Sequence, residues 1–169
     1  MIVKIKNIFT NQIRKKLIED CKPLIVDGKE LMRFYNMSAC PSKQSHPTVH
    51  MHPKFVSAHD HIKKLVEDKL NSKMKIEKSW VVLTTGKKED IYWHSHESDI
   101  SCVYYMKTHT PFDSGTNFRD GFVRAGQNSM LIFPSSLEHS PPSSLFRFKR
   151  YTMAMEMNYE CTNYGHRND

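Results

Sequence analysis

The chain has 169 residues, a length that suits one domain able to bury a real core, and a single domain over residues 1–169 is expected. Hydrophobic residues make up 38% and aromatic residues 11%, no run approaches the roughly 20 apolar residues of a membrane span, and the basic N-terminus lacks a secretory pattern; a soluble, cytoplasmic protein is the expectation. The net charge of +7 is dispersed in lysine pairs such as Lys63 and Lys64 or Lys87 and Lys88 without interleaved aromatics, which argues against a nucleic-acid partner, and the scattered Cys21, Cys40, Cys102 and Cys161 form neither a zinc ribbon nor a disulfide scaffold.

Along the chain, residues 2–6 (IVKIK) alternate apolar and basic and predict a short strand with one buried face. Thr10 caps a predicted helix over 11–20, with Ile13, Leu17 and Ile18 on one side. After Pro23 the chain is expected to turn at Asp27-Gly28 and run extended through residues 31–37 (LMRFYNM). Residues 40–53, with three prolines and three histidines, read as a loop. From about Lys54 the period changes: Phe55, Ala58, Ile62, Leu65, Val66 and Leu70 share one helical face.

Beyond that helix the chain is mostly strand: KSWVVLTTG (78–86), ISCVYYMKT (100–108), FVRAG (122–126), SMLIFP (129–134) and FRFKRYTMAMEM (146–157). Turn signals at Thr85-Gly86-Lys87, Asp113-Ser114-Gly115, Asp120-Gly121 and Ala125-Gly126-Gln127 separate them. Helices first and strands with tight turns after predict an α+β, mainly β class, a cupin-like jelly roll or double-stranded β-helix over about 75–160 buttressed by N-terminal helices.

The chemistry concentrates in YWHSHESDISCVYYM, residues 92–106. On extended backbone, residues two apart point the same way, so His94 and His96 can aim at one point. Imidazole suits iron, zinc, copper or nickel, and His139, delivered by a short loop after the SMLIFP strand, is the candidate third ligand. The competing reading is a solvent-facing pair at a strand end. His50 and His52 repeat the HxH spacing but lead into a helix, not a strand. With His46, His59 and His61 they are assigned to loop and helix surface, and His109 and His166 to the surface.

These residues resemble the iron(II)- and 2-oxoglutarate-dependent oxygenases, whose pattern is HxD or HxE at the start of a core strand, a distal His, and an Arg roughly ten residues later. Here the order is His94-Ser95-His96, ISCVYYMK, LIFPSSLEHSPP with His139, then RYTMAM with Arg150. The segments ISCVYYMK and RYTMAM look like strands of prolyl-hydroxylase-type members, and residues 79–158, about half the chain, look like bacterial and phage oxygenases carrying HxH. The resemblance implies iron(II), 2-oxoglutarate as cosubstrate and O2, with oxidative decarboxylation to succinate coupled to hydroxylation of a small-molecule or peptidyl substrate. It implies that Arg150 grips the far carboxylate of 2-oxoglutarate, a task suited to a planar guanidinium that stays charged when buried. Thr152, on the same strand face, and Tyr105 become candidate hydroxyl donors to the cosubstrate. Arg150 also reads as one of a basic surface group with Arg147 and Lys149, and Tyr105 as a core aromatic. Loops around 40–53, 87–92 and 109–121 are expected to wall the site, with Trp93 at its mouth or in the core.

One departure matters: His96 stands where the family has a carboxylate. Either His96 ligates and the set is three neutral histidines, or Asp99 substitutes for it, or no metal is held; Glu97 faces away on a regular strand. Two other readings stay open. One is a cupin-like metal-dependent dioxygenase or isomerase that does without 2-oxoglutarate, and the other is a non-catalytic basic binding module.

Overall fold

A computed structural model describes residues 1–35, 43–85, 92–109, 114–142 and 148–160. Cys40, Lys87, Lys88, Asp113, Arg147, Cys161 and His166 lie outside these, as do the expected turn at Gly86 and parts of the expected wall loops.

Among the described residues nine strands form two antiparallel sheets. The strands are β1 (Val3–Lys6), β2 (Lys43–Gln44), β3 (Met74–Thr84), β4 (Ile100–Lys107), β5 (Gly115–Phe118), β6 (Gly121–Arg124), β7 (Ser129–Pro134), β8 (His139–Ser140) and β9 (Arg150–Tyr159). The larger sheet has the order β1-β7-β4-β9-β3-β2 and the smaller β6-β5-β8. Accompanying them among the described residues are the α-helices α1 (Asn11–Cys21), α2 (Gly28–Tyr35) and α3 (Val56–Leu70).

Strand alternation sorts the larger sheet into two faces. Cys102, Tyr104 and Met106 of β4, Met130 and Ile132 of β7, and Tyr151, Met153, Met155 and Met157 of β9 pack with Leu17 and Ile18 of α1 and Ile62 and Val66 of α3. On the opposite face Tyr105, Leu131 and Phe133 meet Phe118 of β5 and Ala125, forming a second core between the sheets. One face is therefore plugged by helices, and the other encloses a cavity with the smaller sheet. Cys21 and Cys102 are free thiols buried in the helix-side core.

The helix over 11–20 forms as expected, Thr10 accepting from the Ile13 amide at 3.3 Å. Its buried face is Arg14, Leu17, Ile18 and Cys21; Ile13 is 45% exposed, because the face turns to let Arg14 donate to the Met106 carbonyl at 2.8 Å. The extended run expected through 31–37 is instead α2 as far as Tyr35. Asp27 starts it, its carboxylate accepting from the Lys29 amide and its carbonyl from Glu30, and the segment is nearly free of β-branched residues. Residues 115–118, expected within a wall loop, form β5. Among the described residues no helix is long and apolar enough to cross a membrane.

Candidate metal centre

Two short backbone pairings bring three histidines together. The His94 amide donates to the His139 carbonyl at 3.1 Å and the His139 amide returns the bond at 2.9 Å, while the His96 amide donates to Ser135 at 2.9 Å. His139 thus sits on a two-residue strand, β8, opposite His94 and not on a free loop. The buried Ser135 knots the crossing: its amide donates to Asp99, and its hydroxyl meets those of Ser98 and Ser101, each at 2.8 Å. The three imidazoles lie with centroids 4.3 to 5.3 Å apart, and one ligating atom from each falls within 4.8 Å of the others.

Each ring is oriented through Nδ1. His94 Nδ1 faces the Tyr92 carbonyl at 3.3 Å, His139 Nδ1 the Leu137 carbonyl at 2.9 Å, and His96 Nδ1 a carboxylate oxygen of Glu156 at 2.8 Å. A carbonyl or carboxylate can only accept, so each Nδ1 carries a hydrogen, and Nε2 is the atom of each ring left to face a metal. Burial lowers His94 and His139 to about 4, with neighbouring imidazoles adding to the effect, so both are neutral at ordinary pH. Glu156 is 6% exposed; burial works to raise it, but the His96 hydrogen bond and the charge of Lys78, 3.7 Å away, bring it below the usual carboxylate range.

Asp99 lies elsewhere. Its side chain is held by the Tyr159 amide at 2.9 Å and its own amide donates to Asn158, so the acid next to the histidines is Glu156.

A cavity of about 560 Å³ opens beside the cluster, lined by all three histidines, Arg150, Thr152 and Thr116 among others. Arg150 is 4% exposed; it donates to the Gly115 carbonyl at 2.9 Å, and its guanidinium lies 5.3 Å over the Tyr105 ring. It is a buried cation in the cavity wall, not part of a basic surface. Tyr105 packs behind that wall with its hydroxyl on Thr116 at 2.6 Å, whereas Thr116 and Thr152 themselves line the cavity. Trp93 is 38% exposed under the Arg119 guanidinium, 4.2 Å from the ring. Rings pack against all three histidines: Tyr92 is stacked on His94 at 4.4 Å, Trp80 is edge-on to His96 at 5.5 Å, and Phe133 is edge-on to His139 at 4.9 Å.

The second HxH has a different use. His52 Nδ1 accepts from the Lys54 amide just before α3, and His50 lies half-buried 6.2 Å from His59. His59, expected on the helix surface, is 1% exposed, with Nδ1 on the Phe55 carbonyl at 2.8 Å and Nε2 on the Ser79 hydroxyl at 2.7 Å. It faces the sheet because Phe55, Ile62 and Val66 on the same stripe do. Among the described residues the only group of three metal-capable side chains is His94, His96 and His139.

Sequence reasoning passed over Glu156, Lys78, Trp80 and Tyr92. A signal for Glu156 was present: counting by twos along β9 from Arg150 gives Thr152, Ala154 and Glu156, all lining the cavity.

No protein-family model and no curated protein matches the sequence. Among solved structures the chain is similar to HygX from Streptomyces hygroscopicus, determined with nickel, 2-oxoglutarate and hygromycin B bound (TM-score 0.71, 13% identity, covering 93% of this chain and 82% of that one). It is similar to the viral collagen prolyl hydroxylase of Paramecium bursaria Chlorella virus-1 in its 2-oxoglutarate complex (TM-score 0.64, 15% identity, 92% and 94% covered). A third is the non-heme, alpha-ketoglutarate-dependent epimerase SnoN from nogalamycin biosynthesis (TM-score 0.69, 11% identity, 92% and 76%). The chain has the double-stranded β-helix fold of these enzymes.

Proposed function

We propose that this protein is an iron(II)- and 2-oxoglutarate-dependent dioxygenase, a single-domain enzyme that hydroxylates a small-molecule or peptidyl substrate. The observation that carries the reading is one cavity holding three convergent imidazoles, each tethered through Nδ1, together with a buried arginine. Neutral imidazole donors suit iron(II), and three ligands on one side leave positions open toward the cavity. The buried guanidinium fits the far carboxylate of a dicarboxylate cosubstrate and favours this reading over a cupin-like enzyme that needs no such cation. Structural relatives solved with 2-oxoglutarate point the same way.

When bound, the metal, 2-oxoglutarate and O2 supply a two-electron oxidation in which the cosubstrate becomes succinate and carbon dioxide and one oxygen atom is inserted into a substrate C–H bond. The protein's part is positional. Arg150, held by Gly115, fixes one end of the cosubstrate, while Thr152 and Thr116 offer hydroxyls within the same wall. Tyr92 and Trp80 pack against His94 and His96, keeping the imidazoles in place and shielding them from water on those sides.

The test is anaerobic titration of the metal-free protein with iron(II) and then 2-oxoglutarate, following the charge-transfer absorption of the chelate. The band is expected in wild type, lost in His139→Ala, and lost in Arg150→Ala with iron(II) affinity kept. Its absence from wild type would overturn the assignment; its survival in His139→Ala would overturn the ligand set. Succinate released under oxygen then measures turnover.

A further inference from the structure

We propose that Glu156 is a positioning residue for the three-histidine centre, supplying from behind His96 the negative charge that no ligand of the set carries. The inference rests on the metal reading above. Three neutral imidazoles bring no charge to a divalent ion, and the residue two after His94, where a carboxylate would supply it, is His96.

The geometry separates His96 from its two companions. His94 and His139 donate Nδ1–H to neutral backbone carbonyls, which set orientation only. His96 donates to a carboxylate at 2.8 Å, in a place where both side chains are largely buried, at 15% and 8% exposure. A carboxylate behind a ligating histidine fixes the tautomer and draws the Nδ1 proton toward itself, making Nε2 a stronger donor. Screening is weak at that burial. The other partner of Glu156, Lys78, is longer at 3.7 Å and its side chain is 58% exposed, so it offsets the carboxylate only partly.

The placement follows from β-register. Glu156 pairs with Ser101 on β4 and Lys78 on β3, at the histidine end of β9, whereas Arg150 lies six residues back at the other end. One strand face thus carries the cation for the cosubstrate and the anion for the metal ligand.

The test uses cobalt(II) alone, titrated calorimetrically into metal-free wild type, Glu156→Gln and Lys78→Met under identical buffer. Glu156→Gln keeps the shape and an accepting oxygen but removes the charge; about 10- to 100-fold weaker cobalt(II) binding is expected. Lys78→Met should bind as well as wild type or better. Saturating 2-oxoglutarate, itself a dianion, should shrink the Glu156→Gln deficit. In metal-free wild type the His96 Nδ1–H proton should appear far downfield by NMR and move upfield in Glu156→Gln, a readout that a simple packing role would not shift. The double variant His96→Asp/Glu156→Gln should regain affinity, because the charge returns as a ligand, and it keeps the test decisive if Glu156→Gln alone folds poorly. Equal cobalt(II) affinity in wild type and Glu156→Gln would overturn this proposal and leave the metal reading standing. No binding by wild type would overturn both.

Discussion

Gly115 has φ +150°, and a Cβ built there would sit 2.2 Å from the Val123 carbonyl oxygen, a backbone atom of the paired strand that cannot swing aside. The same residue's carbonyl anchors Arg150. Gly115→Ala is therefore expected to lower stability by about 1–3 kcal/mol and to weaken 2-oxoglutarate binding at least tenfold, by moving the guanidinium. Gly121, with φ +137° and nothing within 4 Å of a built Cβ, is the control. Gly121→Ala should show backbone strain in urea unfolding but bind cosubstrate as wild type does. His59 gives a separate prediction. Burial lowers it to about 4, from an unfolded value near 6.5, so the unfolded chain takes up the proton first. Its contribution is intact above about 6.5 and is lost as pH falls toward 4, with a slope of up to about 1.4 kcal/mol per unit. His59→Gln should flatten the pH dependence of the urea midpoint between pH 6.5 and 4.5; an unchanged slope would show that His59 takes up its proton in the folded state. At this scale the convergence of His94 and His96 was legible, because the i, i+2 rule is local to the chain. Glu156 and Ser79 were not: what they touch is set by strand register and helix packing, which join residues far apart in sequence.

Strand β9 serves two environments at once. Tyr151, Met153, Met155 and Met157 fill the helix-side core, while Arg150, Thr152, Ala154 and Glu156 line the cavity. Ala154 is the small residue between the two charged ends of that face, paired with Val103 on β4 and Trp80 on β3. A larger side chain there grows into the cavity and leaves the core undisturbed. Ala154→Leu should fold normally and bind iron(II) within a few-fold of wild type, yet give no charge-transfer band with 2-oxoglutarate. A full band would mean the cosubstrate does not cross this part of the sheet. Elements were legible in the sequence where a helical period was long, as in α3, or where an apolar run was continuous, as in β4 and β7. Helix α2 was misread because its eight residues span barely two turns, and LMRFY suits a strand as well as a helix until the Asp27 cap is seen. β5 and β8 were missed because four and two residues are too short for a period to show, and pairing to neighbours forms them.

The whole molecule separates stability from chemistry by placing two cores on opposite faces of one sheet. Ile62 on α3 is fully buried in the helix-side core, whereas Phe133 on β7 is 1% exposed in the inter-sheet core, its ring 4.9 Å from His139 and 5.0 Å from Phe118. Truncating either removes buried apolar volume, so Ile62→Ala and Phe133→Ala should each cost about 2–5 kcal/mol in urea unfolding. Their effects on the site should differ. With the sheet between Ile62 and the histidines, Ile62→Ala should keep wild-type metal affinity at temperatures where it is folded. Phe133→Ala leaves a void beside the His139 ring and frees it to tilt, so metal affinity should fall about tenfold or more. Equal loss of affinity in both variants would mean that the larger sheet transmits strain from one face to the other. Loss in neither would mean that the Leu137 carbonyl alone suffices to hold His139.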